Sequence, residues 1–380
     1  MKKFFKVLLI VLIAFVLGVC IIVPCVWMGE IKTISSLEQV DPDNEYLYCM
    51  EYKADYDLDD LIAANIDKND VLKDYVIKRV AKGLPINIGG DDDAETKSIG
   101  CTSFQVKNAE GEGFLYGRNY DFYKNPSLVT ISHPKNGYAS IGVSDMSHFG
   151  YGIDNLPNSF TKKLLCLASI YAPVDGINEK GLCTSIMALP NQMSQQNTGK
   201  NVVGTSVIMR LFLDRCATVQ EALDLLSTVD VRHDIDGGYG YHYMVADANG
   251  DCAIIEFDKN DEWKTMILRK PADTTCMHIT NHLLSEKYLT TIPNDSVGNV
   301  QSLSWWRYDT VADYLTQRNG ILTLKEAQDC LSMVMWRDMV WDDGTYEDTQ
   351  YSNVYNQTTK TLYLRSWFDK YEKTYEFELK

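Results

Sequence analysis

The run Gly100-Cys101-Thr102-Ser103 is followed sixteen residues after its cysteine by Gly117-Arg118-Asn119-Tyr120-Asp121. Together these residue types can do acyl chemistry. A thiol can attack the carbonyl of the residue before it. Here that carbonyl belongs to Gly100, whose missing side chain permits close approach. A break between Gly100 and Cys101 would leave a thiol and an α-amine on one residue. A free thiol titrates near ~8.5 and an α-amine near ~8, so the amine can serve as base for its own thiol and no histidine is required. Arg118 would favour the thiolate. Asp121 could accept hydrogen bonds from the α-ammonium and hold it. For Arg118 and Asp121 taken alone, an ion pair capping a β-turn is the plainer reading.

These groups need a hairpin to meet. Thr102 to Val106, the turn Asn108-Ala109-Glu110-Gly111-Glu112-Gly113 and Phe114 to Gly117 predict one. Further strands are predicted over Leu128 to His133 and Leu182 to Met187. Tyr241 to Ala246 with Ala253 to Phe257 predicts a second hairpin, and Asn353 to Tyr355 with Thr361 to Leu364 a last one. Helices are predicted over Ser206 to Cys216, Val219 to Ser227, Trp305 to Gln317 and from Thr323 to about Met335. Thr218-Val219-Gln220-Glu221 and Thr323-Leu324-Lys325-Glu326 have the spacing of capping boxes. Hairpins alternating with paired helices give an α+β fold of antiparallel sheets covered by helices.

The chain has 380 residues and a formal net charge of -16. This acidic balance argues against a nucleic-acid partner, which needs a basic face. No phosphate-binding glycine loop is present. Lys2, Lys3 and Lys6 precede an apolar run from Val7 to Trp27, long enough as a helix to span a bilayer. It reads as a membrane anchor with the rest of the chain extracytoplasmic, a cleaved signal being the alternative. Three parts follow: 1–28 as anchor or signal segment, 29–100 as pro-region, and 101–380 as the catalytic domain. The pro-region carries a helical apolar pattern from Leu58 to Val80. It ends in Gly89-Gly90 and the acidic run Asp91-Asp92-Asp93-Ala94-Glu95, read as an exposed linker.

The ten cysteines lack C-x-x-C spacing; most sit in apolar runs and read as buried small hydrophobes, whereas Cys101 has small polar neighbours. His278 and His282 are four apart but lack the intervening glutamate of a zinc helix, so no metal is expected. Tyr239-Gly240-Tyr241-His242-Tyr243 and Trp305-Trp306 could line an apolar acyl pocket, although core packing explains them more simply. Asn178 and Glu179 read as turn formers.

The chain resembles the choloylglycine hydrolase family of N-terminal-nucleophile (Ntn) hydrolases, which holds conjugated bile salt hydrolases and penicillin V acylases. Cys101-Thr102 resembles the family's mature N-terminus, and Gly117-Arg118-Asn119-Tyr120-Asp121 its G-R-N-x-D motif. Asp175-Gly176-Ile177-Asn178-Glu179-Lys180-Gly181-Leu182 resembles D-G-x-N-E-K-G-L, Ile279-Thr280-Asn281 resembles L-T-N, and Ser304-Trp305-Trp306-Arg307 more loosely resembles S-R-F-x-R. The resemblance implies a four-layer αββα sandwich and self-cleavage after Gly100. It implies hydrolysis of linear, non-peptide amides of small N-acyl compounds, without cofactor or metal. It gives Cys101 the role of nucleophile, supported by Arg118 and Asp121. Asn281 would donate to the oxyanion and Arg307 would anchor the network. One departure stands out. The bile salt hydrolases carry an oxyanion-hole asparagine where this chain has Ala188, leaving only a backbone N–H there. With the Gly100-Cys101-Thr102-Ser103 junction, the long pro-region and Thr280-Asn281-His282, this leans toward the related acyl-coenzyme A:6-aminopenicillanate acyltransferases. Acyl transfer to an amine and a non-catalytic anchored binding protein are the alternatives. Family members often form homo-oligomers, and the sequence leaves that open.

Overall fold

The computed structural model describes residues 26–82, 100–190, 192–234, 239–286, 300–340 and 346–380. Two large sheets lie face to face with helices on both outer sides, the four-layer arrangement expected from the sequence. The first sheet has nine strands, in the order Glu38–Asp41, Asn44–Tyr52, Ser127–Ser132, Ser140–Asp145, Asp175–Asn178, Cys183–Pro190, Tyr239–Ala246, Cys252–Asp258 and Lys264–Arg269. All its pairs are antiparallel except one: Asn44–Tyr52 runs parallel to Ser127–Ser132. The second sheet is centred on the predicted hairpin, Gly100–Asn108 with Phe114–Phe122. Tyr346–Asn356, Thr361–Ser366 and Tyr375–Glu378 continue it on one side, and Met277–Ile279 lies against Gly100–Asn108 on the other.

Alternation along the strands sorts the residues between layers. Phe104, Val106, Leu115 and Val354 turn outward and pack against Val311, Leu315, Ala327 and Leu331 of the helices Val300–Gln317 and Leu324–Met333. Leu324–Met333 opens on the predicted capping box, Thr323 and Glu326 each bonding the other's backbone. The helix Val219–Leu226 is capped by Thr218, but Glu221 reaches past it to the Ala217 N–H at 2.5 Å, so that box is only half formed. The first sheet is covered by Val207–Arg215, into which Asn178 turns its amide, donating to the Leu213 and Cys216 carbonyls. Its Oδ1 accepts from Lys180 and Leu182 N–H groups, the turn role read from the sequence.

The segment before Cys101 is built into this body. The apolar pattern from Leu58 to Val80 forms two helices, Leu58–Ala63 and Asn69–Ala81. The strand Asn44–Tyr52, not predicted, buries Leu47 and Met50 completely. Tyr52 donates to the Leu167 carbonyl, Tyr171 to the Tyr56 carbonyl, and Tyr56 to Asp214, which also pairs with buried Arg210 at 2.6 Å. The acidic run 91–95 and most of the apolar run from Val7 to Trp27 lie outside the described residues. Among the described residues no helix is long and apolar enough to cross a membrane.

Candidate active site

Cys101 is fully buried near the start of its strand. Register pairs Gly100 with Asp121, Cys101 with Tyr120 and Ser103 with Arg118, so the hairpin alone brings the predicted residues together. Alternation then divides them. Arg118 is on the face of its strand that looks at the first sheet, donating to the Ile186 carbonyl at 2.7 Å and lying 3.7 Å from Asp175. Asp121 is three residues on, on the face under the helices. Its Oδ1 accepts from Thr349 at 2.6 Å, and its Oδ2 is 3.7 Å from Arg307. Arg118 and Asp121 are thus not paired with each other; each faces its own counter-charge across the strand.

Asn281 comes from the chain just beyond the edge strand Met277–Ile279. Ile279 pairs with Ser103, which carries Asn281 abreast of Cys101. Its Oδ1 accepts from the Cys101 backbone N–H at 2.6 Å and from Arg307 at 2.9 Å, and its Nδ2 donates to the Ala188 carbonyl at 2.9 Å. Two donors on one side and a carbonyl on the other fix the amide's orientation. Arg307, on the helix Val300–Gln317, also donates to the Cys101 carbonyl and to Thr102 Oγ1 at 3.2 Å. All five predicted side chains are therefore buried around the Cys101 backbone, Arg118 on the inter-sheet face and Asp121 and Arg307 on the helix face, and Ala188 joins them through Asn281.

Gly100 has no room for a side chain. A Cβ there would sit 2.6 Å from Trp336 and 2.8 Å from Asp121 Oδ2. Trp336 also lies beneath the Arg307 guanidinium, 5.2 Å from its ring centre.

Burial pushes the Cys101 thiol above its ordinary value; Arg118 pulls it back, and Asp121 adds to the rise. Burial likewise raises the Asp121 carboxyl, with Arg307 opposing. It lowers Arg307, with Asp121 again opposing. At Arg118 burial works against the cation, but Cys101, Asp175 and Tyr351 outweigh it and hold the group charged. The site is a set of desolvated charges, each kept by a partner of opposite sign.

Several members were not singled out from the sequence. Asp175 accepts from Tyr351 at 2.6 Å, from Asn353 at 2.9 Å and from Tyr355, and stands behind Arg118 as its carboxylate. Ser304 accepts from the Asn281 N–H at 2.8 Å. The acid opening the D-G-x-N-E-K-G-L run was the available signal for Asp175, and the serine of the Ser304–Arg307 run for Ser304. Of the other candidates, His278 packs tilted against Tyr308 and His282 stacks on Trp305. No cluster of three or more metal-binding side chains occurs among the described residues.

A sandwich of two antiparallel sheets between helices, with an internal cysteine on a central strand, is the architecture of the Ntn hydrolases. Residues 161–374, more than half the chain, match the family model for acyl-coenzyme A:6-aminopenicillanic acid acyl-transferase. The chain belongs to that family, as the acyltransferase-like features of its sequence indicated. The matched region includes Asn281 and Arg307 and begins after Cys101, Arg118 and Asp121. Two crystal structures of conjugated bile acid hydrolase from Clostridium perfringens share the fold at 16% and 17% identity. Both give a TM-score of 0.54 and cover 73% of this chain and 92% of theirs. Penicillin V acylase from Agrobacterium tumefaciens is also similar, at 16% identity and a TM-score of 0.48, covering 73% of this chain and 86% of that one. Nothing among curated protein sequences matches the chain.

Proposed function

We propose that the protein cleaves linear, non-peptide amide bonds of small N-acyl compounds, using Cys101 as a nucleophile freed by self-cleavage. One observation carries this reading. The amide nitrogen of Cys101, the atom that would become the α-amine, is held by Asn281 at 2.6 Å, with Arg118, Asp121 and Arg307 buried around it.

In activation, Cys101 Sγ attacks the Gly100 carbonyl carbon, and the thiol proton passes to the departing Cys101 nitrogen. The resulting thioester is hydrolysed by water. This leaves a carboxylate on Gly100 and an amine on Cys101. Asn281, whose Oδ1 accepts from that nitrogen, would hold the amine, with Asp121 as the supporting carboxylate. In turnover the amine takes the thiol proton, Sγ attacks the substrate carbonyl, and the substrate amine leaves with the proton. Water then releases the acid. Asn281 Nδ2 and a backbone N–H at Ala188 are the donors offered to the developing oxyanion.

The family's name favours a second reading of the same thioester, in which an amine rather than water accepts the acyl group. The apolar run ending at Trp27 supports a membrane tether for the chain. Homo-oligomers, common in the resembling family, are compatible with either reading.

Intact mass of the purified full chain tests activation: a cut before Cys101 is expected, and an uncut folded chain would favour a binding protein. The cut protein is then assayed against a panel of N-acyl amides, with and without an added amine. Free acid in both arms indicates a hydrolase. Product that shifts to the new amide indicates a transferase.

A further inference from the structure

Two buried groups that the reaction does not call on lie behind Asn281, on the opposite sheet. His242 and Glu256 sit on the neighbouring strands Tyr239–Ala246 and Cys252–Asp258, and neither is exposed. His242 Nε2 lies 2.7 Å from the Thr280 carbonyl, which can only accept, so that nitrogen donates. Its Nδ1 faces Glu256 Oε1 at 3.4 Å. The same carboxylate accepts from the backbone N–H groups of Leu284, at 2.7 Å, and Ser285, at 3.1 Å. Asn281 lies inside the segment so gripped, one residue after Thr280 and three before Leu284.

Ser304 holds the segment from the helix side, accepting the Asn281 N–H at 2.8 Å and contacting His282 Nδ1 at 2.8 Å. The loop therefore leaves the second sheet at Ile279 and is fastened to the first sheet on both sides of Asn281. A carboxylate in an apolar strand, Ile255-Glu256-Phe257, is costly to bury unless donors surround it. Here two main-chain N–H groups, those of Leu284 and Ser285, supply the donors, and the imidazole packs alongside.

We propose that His242 and Glu256 are positioning residues that set the distance between Asn281 and Cys101 by anchoring the Thr280–Ser285 loop to the nine-stranded sheet. Neither touches the reacting atoms. Their effect passes through the 2.6 Å contact between Asn281 Oδ1 and the Cys101 nitrogen. A shift of that loop by about 1 Å would break the contact, and displacement on that scale can cost on the order of 10²-fold in rate. The inference rests on the role given to Asn281 above.

The test follows chain scission in full-length protein made by pulsed cell-free synthesis, using intact mass against time, so no substrate need be known. Melting temperatures show that each variant folds. His242→Leu removes the donor to Thr280 and is expected to slow scission roughly 10²-fold. His242→Gln keeps an N–H for that carbonyl and should recover most of the rate, a rescue that a purely packing role would not give. Glu256→Gln, nearly isosteric, places an amide N–H against the donors of the loop and should also slow the cut; it carries the test should His242→Leu fail to fold. Asn281→Ala is the benchmark. If Asn281→Ala is slow while the His242 and Glu256 variants cut at the normal rate, or if Gln and Leu at 242 behave alike, the positioning role is wrong. If Asn281→Ala itself cuts at the normal rate, the role of Asn281 is what fails.

Discussion

Along the strand Gly100–Asn108, Phe104 and Val106 turn outward to the helices, while Ser103 and Gln105 turn inward to the other sheet. Its partner Phe114–Phe122 repeats the division, with Leu115 outward and Tyr116 and Arg118 inward. The outward face is a conventional apolar core. The inward face is polar and almost wholly buried, yet its groups find partners. Ser103 meets Ser185 at 2.9 Å, Tyr116 meets the same serine at 2.5 Å, and Gln105 donates to the Asp247 carbonyl at 2.9 Å and to Gln357 at 2.8 Å. Hydrophobic burial does not depend on geometry as fine as a hydrogen bond's, so it can be left to the outer layer. The space between the sheets is then free to hold directed hydrogen bonds and desolvated charge, which acyl chemistry needs.

Substitutions should separate the two faces. The largest effect is expected from Cys101→Ala, which should abolish both scission and turnover while the chain still folds; residual cutting by intact mass would remove the nucleophile from the account. On the outward face, Phe104→Ala should cost about 3–5 kcal/mol of stability. Whatever fraction remains folded should be cut at the normal rate, as read by denaturant unfolding alongside the scission assay. On the inward side Asn281→Ala should do the reverse. We expect turnover down by about 10²–10³-fold, the usual loss for one oxyanion donor, with a much smaller stability change.

Two further effects depend on pH. Burial lowers His233 and His282 to about 3 and His278 to about 4. An unfolded histidine titrates near ~6.5, so below that pH the unfolded chain binds more protons than the folded one. Stability should be flat above pH ~6.5 and fall toward the folded values, with a slope of at most about 1.4 kcal/mol per pH unit for each histidine. Urea midpoints across this range check it, and a midpoint constant to pH 4 would contradict it. The raised Cys101 thiol acts on rate rather than stability: scission should quicken as pH rises from 6 through the ordinary thiol range near ~8.5, because the thiolate is the attacking form, and intact mass against time at each pH reads it.

What could be read from the sequence follows sequence separation. Cys101, Arg118 and Asp121 meet through one short hairpin whose turn chemistry is written locally. Asn281 and Arg307 were placed only through resemblance, since no periodicity in a single chain says that residue 281 lies abreast of residue 101. Asp175, Trp336, His242 and Glu256 likewise reach the site over long separations, as charged or aromatic residues in otherwise ordinary strand and loop runs. Arg118 and Asp121, three apart on a strand, necessarily face opposite ways, which makes a direct pair between them unavailable. The strand Asn44–Tyr52 was obscured by Glu45 and Glu51 at its ends, although Tyr46-Leu47-Tyr48-Cys49-Met50 has the aromatic and apolar content of a strand.

The parallel ladder of the nine-stranded sheet, between Asn44–Tyr52 and Ser127–Ser132, joins residues on either side of the Gly100–Cys101 bond. While that bond is intact, both partners are tethered and folding is a unimolecular event. Once it is severed, the same ladder becomes an association between two polypeptides, and regaining it after unfolding becomes second order in concentration. A matured molecule would then remember its history: dilute denaturation that the precursor survives would be permanent for the cut form, whose durability is set by how slowly it comes apart rather than by how favourably it folds.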